Sequence, residues 1–117
     1  YTGHHGNDVP GVKTSVAPGA ASHAILAYLD PAAISGRGSL YKVSPLEPST
    51  TPLLMGTIPN HPAEPVAWTN EPRFGHSRVF YTSLGHAEDF KNPAFRQLLL
   101  NGICWTLNNA PPVVSTQ

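Results

Sequence analysis

The chain has 117 residues, with seven basic and seven acidic side chains and a formal net charge of zero. This balance gives no basic surface for nucleic acid or for an anionic membrane, so neither is expected as a partner. No apolar run approaches the ~20 residues that a membrane span needs. The single cysteine excludes an intrachain disulfide and leaves the compartment open, whether cytoplasmic, periplasmic or secreted.

The first residues form a polar, glycine-rich run in which His4 and His5 lie between Gly3 and Gly6. Glycine lets a backbone approach a sugar or a metal closely. Neighbouring side chains of an extended backbone point to opposite sides, so at most one of the two imidazoles can meet a given ligand. Both histidines are candidate ligand-binding residues, and a solvated chain end is the alternative.

Five segments have the short apolar and β-branched pattern of strands. They are residues 12–17, 40–43, 51–57, 66–69 and 78–83. The last two are close enough to form an antiparallel hairpin through a turn at residues 71–77. The run from Val79 to Thr82 is typical of a buried central strand. Residues 20–29 suit one or two helical turns after Ser22, ended by Asp30-Pro31.

Arg37 lies between Gly36 and Gly38 in a short loop. A guanidinium on such a loop can clamp a carboxylate or the hydroxyls of a sugar, so Arg37 is a third candidate ligand-binding residue. A solvated turn fits the same pattern equally well.

His86 and Glu88 follow the strand at residues 78–83, where Gly85 allows the chain to turn. In open α/β sheets, ligands bind beyond the carboxyl ends of the strands. We therefore take His86 and Glu88 as candidate catalytic residues, with Asp89 as an alternative carboxylate to orient the imidazole. The other interpretation is that His86 caps a turn while Glu88 lies in solvent, near the positive end of the next helix.

That helix is predicted over residues 92–107, with Asn92 as N-cap and Pro93 in its first turn. Leu98, Leu99 and Ile103 lie on its apolar stripe and are expected to be buried. Residues 110–117 are expected to be a frayed tail.

Three stretches carry a resemblance to a known family. They are EPVAWT at 64–69, RVFYTSLGH at 78–86 and DFKNPAFRQLLLNGICW at 89–105, and GSLYKVSPL at 38–46 agrees more loosely. They resemble the carboxy-terminal end of the ThuA-like, or trehalose-utilisation, family of the class I glutamine-amidotransferase-like fold. The resemblance implies an α/β fold: a partial flavodoxin-like sheet with a carboxy-terminal helix. It also implies that residues 1–109 are the carboxy-terminal portion of such a domain, a fragment.

The resemblance implies roles for the candidate residues. In glutamine amidotransferases a His-x-Glu pair follows the corresponding strand, where the imidazole is base to a cysteine and the carboxylate orients it. His86 and Glu88 occupy that place. The nucleophile belongs to a strand-to-helix turn that this chain does not contain, and Cys104 lies in the predicted helix. No complete Cys-His-Glu triad is therefore expected.

The same resemblance implies a small, sugar-like ligand such as trehalose or an oxidised disaccharide. His86 would then act as general acid and base, with hydrolase-like or lyase-like chemistry. The alternative is a non-catalytic accessory domain that binds a ligand or a partner, including a second copy in a homo-oligomer. No cofactor is expected. No metal site is expected either, because the histidines lack HxxxH or HExxH spacing.

Overall fold

The computed structural model describes residues 3–5, 11–71 and 77–113. Within these residues the chain forms a five-stranded sheet, a two-stranded ribbon and one α-helix. The strands are β1 (His4–His5), β2 (Val12–Val16), β3 (Ser35–Gly36), β4 (Leu40–Tyr41), β5 (Thr50–Thr57), β6 (Glu64–Asn70) and β7 (Val79–Thr82), and the helix is α1 (Pro93–Thr106). Short 3-10 helices span Ala24–Leu26, Pro31–Ala33 and Ala87–Lys91.

The large sheet has the order β3-β2-β5-β6-β7, and β1 pairs with β4. This sheet and α1 confirm the expected mixed class of sheet and helix. Every described strand pair is antiparallel, which differs from the parallel pairing that a flavodoxin-like sheet implies. The predicted hairpin is confirmed, since Ala67 of β6 lies opposite Thr82 of β7 and Asn70 opposite Val79. Its turn includes residues 72–76, which lie outside the described residues.

The prediction that residues 78–83 form a central strand is wrong, because β7 is the last strand of the sheet formed by the described residues. Val79 is 46% exposed. The strand is apolar for another reason: although it lies at the edge of the sheet, its side chains pack on both of its faces. Phe80 lies against Gly102 of α1, and Tyr81 stacks on Trp68 with ring centroids 4.1 Å apart.

The carboxy-terminal helix begins as predicted, with Asn92 Oδ1 accepting a hydrogen bond from the Ala94 backbone N–H at 2.9 Å. Leu98 is fully buried and Leu99 half-buried, but Ile103 is 58% exposed, so the prediction is wrong for Ile103. The helix packs closely against the sheet at Gly102, and the following residue, Ile103, therefore lies on the outer side of the helix.

Two polar residues of α1 that lie outside the expected apolar stripe are also buried. Asn101 donates from Nδ2 to the carbonyl oxygens of Ile25 and Ala27, at 2.8 and 2.7 Å. Gln97 donates to Asn101 Oδ1 and to the Pro112 carbonyl oxygen. The described start of the predicted tail is therefore tied to the helix, while residues 114–117 lie outside the described part of the chain.

The helical turns expected at residues 20–29 reduce to the 3-10 helix at Ala24–Leu26. Its N-cap is His23, one residue after the expected Ser22, and His23 Nδ1 accepts from the Ile25 N–H at 3.1 Å. Strand β4 likewise covers only the first half of the segment predicted at residues 40–43.

The antiparallel registers bring five strand ends to one edge of the sheet, here called the strand-end edge. It consists of the start of β2 and β6 and the end of β3, β5 and β7. The sheet is so curled that its two outer strands meet at this edge. Gly36, which ends β3, packs so closely on Leu84, which follows β7, that a Cβ at Gly36 would lie 2.7 Å from Leu84 Cδ2.

Candidate functional site

A buried carboxylate organises one half of the strand-end edge. Asp89 is 3% exposed. Its Oδ1 accepts a hydrogen bond from the Arg37 backbone N–H at 2.9 Å, and its Oδ2 accepts from the N–H groups of Gly85 and His86 at 3.0 Å each. One side chain therefore joins the loop after β3 to the loop after β7.

His86 lies exposed on this loop as the N-cap of the 3-10 helix at Ala87–Lys91. Its Nδ1 accepts from the Glu88 backbone N–H at 3.2 Å. The exposed Glu88 carboxylate accepts instead from Lys91 Nζ at 3.1 Å. The structure thus places His86 at a turn, capping it, and pairs Glu88 with a lysine.

Arg37 and Glu88 are brought together even though 50 residues separate them in the chain. With Lys91 and Asn92, they line a polar surface depression of about 250 Å³. The Arg37 side chain is exposed, and its position is fixed through its own backbone N–H on Asp89.

The two amino-terminal histidines separate as their alternation predicts. His4 is exposed, opposite Tyr41, whereas His5 is buried opposite Leu40. His5 Nε2 lies 3.4 Å from Glu64 Oε2, across the start of β6. Of the predicted amino-terminal loop at residues 1–7, residues 1–2 and 6–7 lie outside the described residues.

Glu64 is the second buried carboxylate of the edge, at 6% exposure. Its Oε1 accepts from the backbone N–H groups of Val43 and Ser44 at 2.8 and 3.1 Å. Burial acts to raise the pKa of Glu64, but the two backbone hydrogen bonds and His5 together hold this pKa below its ordinary value. The carboxylate is therefore ionised at neutral pH, and it holds both the β4 loop and the His5 ring.

Sequence reasoning missed two residues of this cluster, Glu64 and His61. The exposed His61 ring lies beside His5, with centroids 4.9 Å apart and planes tilted by 49°. The alternation of β6 was the available signal for Glu64, since it lies on the same side of the strand as the buried Val66. Nothing in the spacing of His5 and His61 could show that the two rings meet.

Both halves of the site lie at the strand-end edge. Ser83 N–H donates to the Val66 carbonyl oxygen at 3.0 Å, so β7 ends beside the start of β6, where Glu64 holds His5. His86 follows three residues later. His5 and His86, from opposite ends of the chain, therefore lie at the same edge of the sheet.

Comparison with known proteins supplies the family. The family model for ThuA, described as trehalose utilisation, matches residues 2–106. The chain belongs to the ThuA family. None of the curated proteins and none of the solved structures compared with it matches.

The described part of this ThuA chain shows no group of three or more metal-ligating side chains positioned to hold an ion. Over the same residues, no helix has the length and apolar character required to cross a membrane. Cys104 lies half-buried in α1 and does not take part in either half of the site.

Proposed function

We propose that this ThuA chain takes part in disaccharide utilisation by binding a trehalose-like sugar at the strand-end edge. The family description supports the class of ligand. The observation that carries the proposal is the Asp89 carboxylate, which holds Arg37 and His86 at one edge through their backbone N–H groups. The side chains of Arg37 and His86 are both exposed, and His86 uses only Nδ1, as acceptor of the Glu88 backbone N–H.

The depression beside these residues has the chemistry of a site for sugar hydroxyls. Arg37 and Lys91 donate hydrogen bonds, while Glu88 accepts them. Its volume of about 250 Å³ is below the ~300–1,000 Å³ of typical enclosed ligand pockets. It therefore suits one ring of a disaccharide, with the second ring extending along the edge toward His86.

His86 is the candidate for acid–base chemistry on the bound sugar, through Nε2, since Nδ1 is used in capping. One observation favours binding without catalysis as a second candidate function. Glu88 pairs with Lys91 and Asp89 accepts three backbone N–H groups, so neither carboxylate orients the imidazole. In established acid–base pairs, an orienting carboxylate holds the ring in position.

Isothermal titration of the full chain with α,α-trehalose tests the binding. Arg37→Ala should weaken binding by tenfold or more, because the guanidinium is lost while its backbone bond to Asp89 stays. Arg96→Ala is the matched control, since Arg96 is an exposed arginine on α1 that contacts the Phe90 carbonyl oxygen. Equal affinities for the wild type and Arg37→Ala, or no binding at millimolar sugar, would contradict the proposal.

The two candidate functions separate in a second measurement. Trehalose and its oxidised derivative are incubated with the wild type and with His86→Asn, which keeps a capping acceptor. Product formation by the wild type that His86→Asn abolishes, with binding unchanged, identifies an enzyme. Binding by both proteins without any product identifies an accessory domain.

A further inference from the structure

The imidazole–carboxylate pair expected at His86 and Glu88 occurs instead at His5 and Glu64. His5 is 8% exposed, and its Nε2 faces Glu64 Oε2 at 3.4 Å. The other oxygen of Glu64 is fixed by two backbone N–H groups. Among the described residues, no hydrogen bond is formed by His5 Nδ1. Glu64 engages Nε2, so Nδ1 is the ring nitrogen left for a ligand.

Elementary hydrogen-bond chemistry decides what the presented nitrogen can do. An ionised carboxylate only accepts, so the ring nitrogen facing Glu64 must carry a proton. In the neutral imidazole the other nitrogen, Nδ1, then has a lone pair and no proton. His5 Nδ1 can therefore accept a hydrogen bond, while Glu64 sets the tautomer and the orientation of the ring.

We infer that His5 Nδ1 accepts a hydrogen bond from a hydroxyl group of a neutral sugar, with Glu64 as the positioning residue. This inference rests on the proposed function and names the ligand class at the same edge. A lone pair backed by a buried negative charge attracts hydroxyl donors and disfavours phosphate or carboxylate groups. The exposed ring of His61 covers one side of His5 and is the neighbouring wall of this part of the site.

His86 cannot fill the same role through the same atom. Its Nδ1 already accepts from the Glu88 backbone N–H, and neither Glu88 nor Asp89 orients its exposed ring. The two imidazoles at the edge thus differ: His5 is buried beside a carboxylate, and His86 is exposed and caps a turn. The specific acceptor is expected at His5.

Nitrogen-15 NMR of the histidine rings in the full chain tests the first part of the inference without any sugar. In its neutral form, the His5 ring should carry its proton on Nε2 and leave Nδ1 unprotonated. In Glu64→Gln the amide can offer a donor to the ring, so the population of that tautomer should fall at least severalfold. A wild-type ring protonated on Nδ1 overturns the inference, as does a tautomer unaffected by Glu64→Gln in a folded variant.

The second part is tested by adding sugars to the same labelled protein. Trehalose should move the Nδ1 resonance of His5, and Glu64→Gln should weaken trehalose binding by about tenfold. Glu47→Gln, at an exposed carboxylate shortly before β5 and outside both halves of the site, is the control for loss of charge.

Failure of the inference is distinguishable from failure of the proposed function. Trehalose that binds the wild type without moving the His5 resonance overturns the inference and leaves sugar binding intact. Trehalose that does not bind at all overturns both. If Glu64→Gln does not fold, His5→Gln in the same titration replaces it, since it removes the acceptor and keeps Glu64.

Discussion

Asp89 Oδ1 accepts the backbone N–H of Arg37 at 2.9 Å, although the two residues follow strands at opposite margins of the sheet. The same carboxylate also accepts from Gly85 and His86, so it closes the curled sheet at the strand-end edge. The position of every candidate residue in that half of the site depends on this contact.

Asp89→Asn should therefore destabilise the protein. An amide in place of the carboxylate turns an NH₂ group toward backbone donors and leaves at least one buried N–H unpaired, at a cost of about 1–3 kcal/mol. Urea unfolding followed by circular dichroism measures the change. Glu88→Gln, one residue earlier and exposed, should change stability by less than about 0.5 kcal/mol. Equal effects of the two substitutions would show that Asp89 does not hold the edge.

Gly102 is where α1 meets β7. A Cβ at this position would lie 2.4 Å from the Phe80 ring, so Gly102→Ala should force the ring or the helix to move and cost about 1–3 kcal/mol. Gly38→Ala is the control, because a Cβ at Gly38 meets no atom within 4 Å. Thermal unfolding measures both. An unchanged or raised melting temperature for Gly102→Ala would contradict the described packing.

Glu64 should make the free energy of unfolding fall as the solution becomes acidic. Because its pKa is lower in the folded protein than its ordinary value, the unfolded chain binds the proton first as the pH falls. The contribution of Glu64 is complete above the ordinary pKa and disappears as the pH falls through the lowered value. Denaturant midpoints measured from pH 6 to pH 2 should show a smaller loss in Glu64→Gln than in the wild type. Parallel curves for the two proteins would be inconsistent with an ionised, hydrogen-bonded Glu64.

His23 should also make the protein less stable as the pH falls, but in a higher pH range than Glu64. Burial lowers its pKa, Glu71 opposes this shift and Arg78 adds to it. The folded protein thus favours the neutral ring, whose Nδ1 caps the helix at Ala24–Leu26. Stability should be complete above about pH 6.5, the ordinary value, and fall as the pH drops below it. His23→Asn keeps a capping acceptor and should lose this part of the pH dependence, as measured by unfolding between pH 7.5 and pH 5. A variant with the same slope as the wild type in this range would contradict the assignment.

The strongest local patterns were sufficient to predict part of the fold. The alternation of Val12 to Val16, the hairpin of β6 and β7 and the Asn92-Pro93 helix start each depend on neighbouring residues, and the structure has all three. The edge position of β7 could not be predicted, because an apolar run is equally expected for a strand packed on both faces. The exposure of Ile103 depends on the angle at which α1 approaches the sheet.

The candidate site, like the fold, could be predicted from the sequence only in part. His5, Arg37, His86 and Glu88 were found from local composition, and their role in ligand binding stays a prediction. Glu64 and Asp89 act through contacts with residues 20 to 59 positions away, such as His5 and Arg37, which no local pattern encodes. The sequence therefore indicated exposed polar groups on loops and Asp89 as an alternative carboxylate. The structure was needed to identify Glu64 and to show that Asp89 holds backbone N–H groups.

The most direct test of sugar binding at the strand-end edge is a titration of isotope-labelled full chain with α,α-trehalose, followed by backbone and histidine-ring NMR. The account predicts saturable shifts at Arg37, Gly85 to Lys91 and the His5 and His86 rings, with the far end of α1 around Leu107 unchanged. Shifts confined to α1 and the tail, or no shifts at millimolar trehalose, would contradict it.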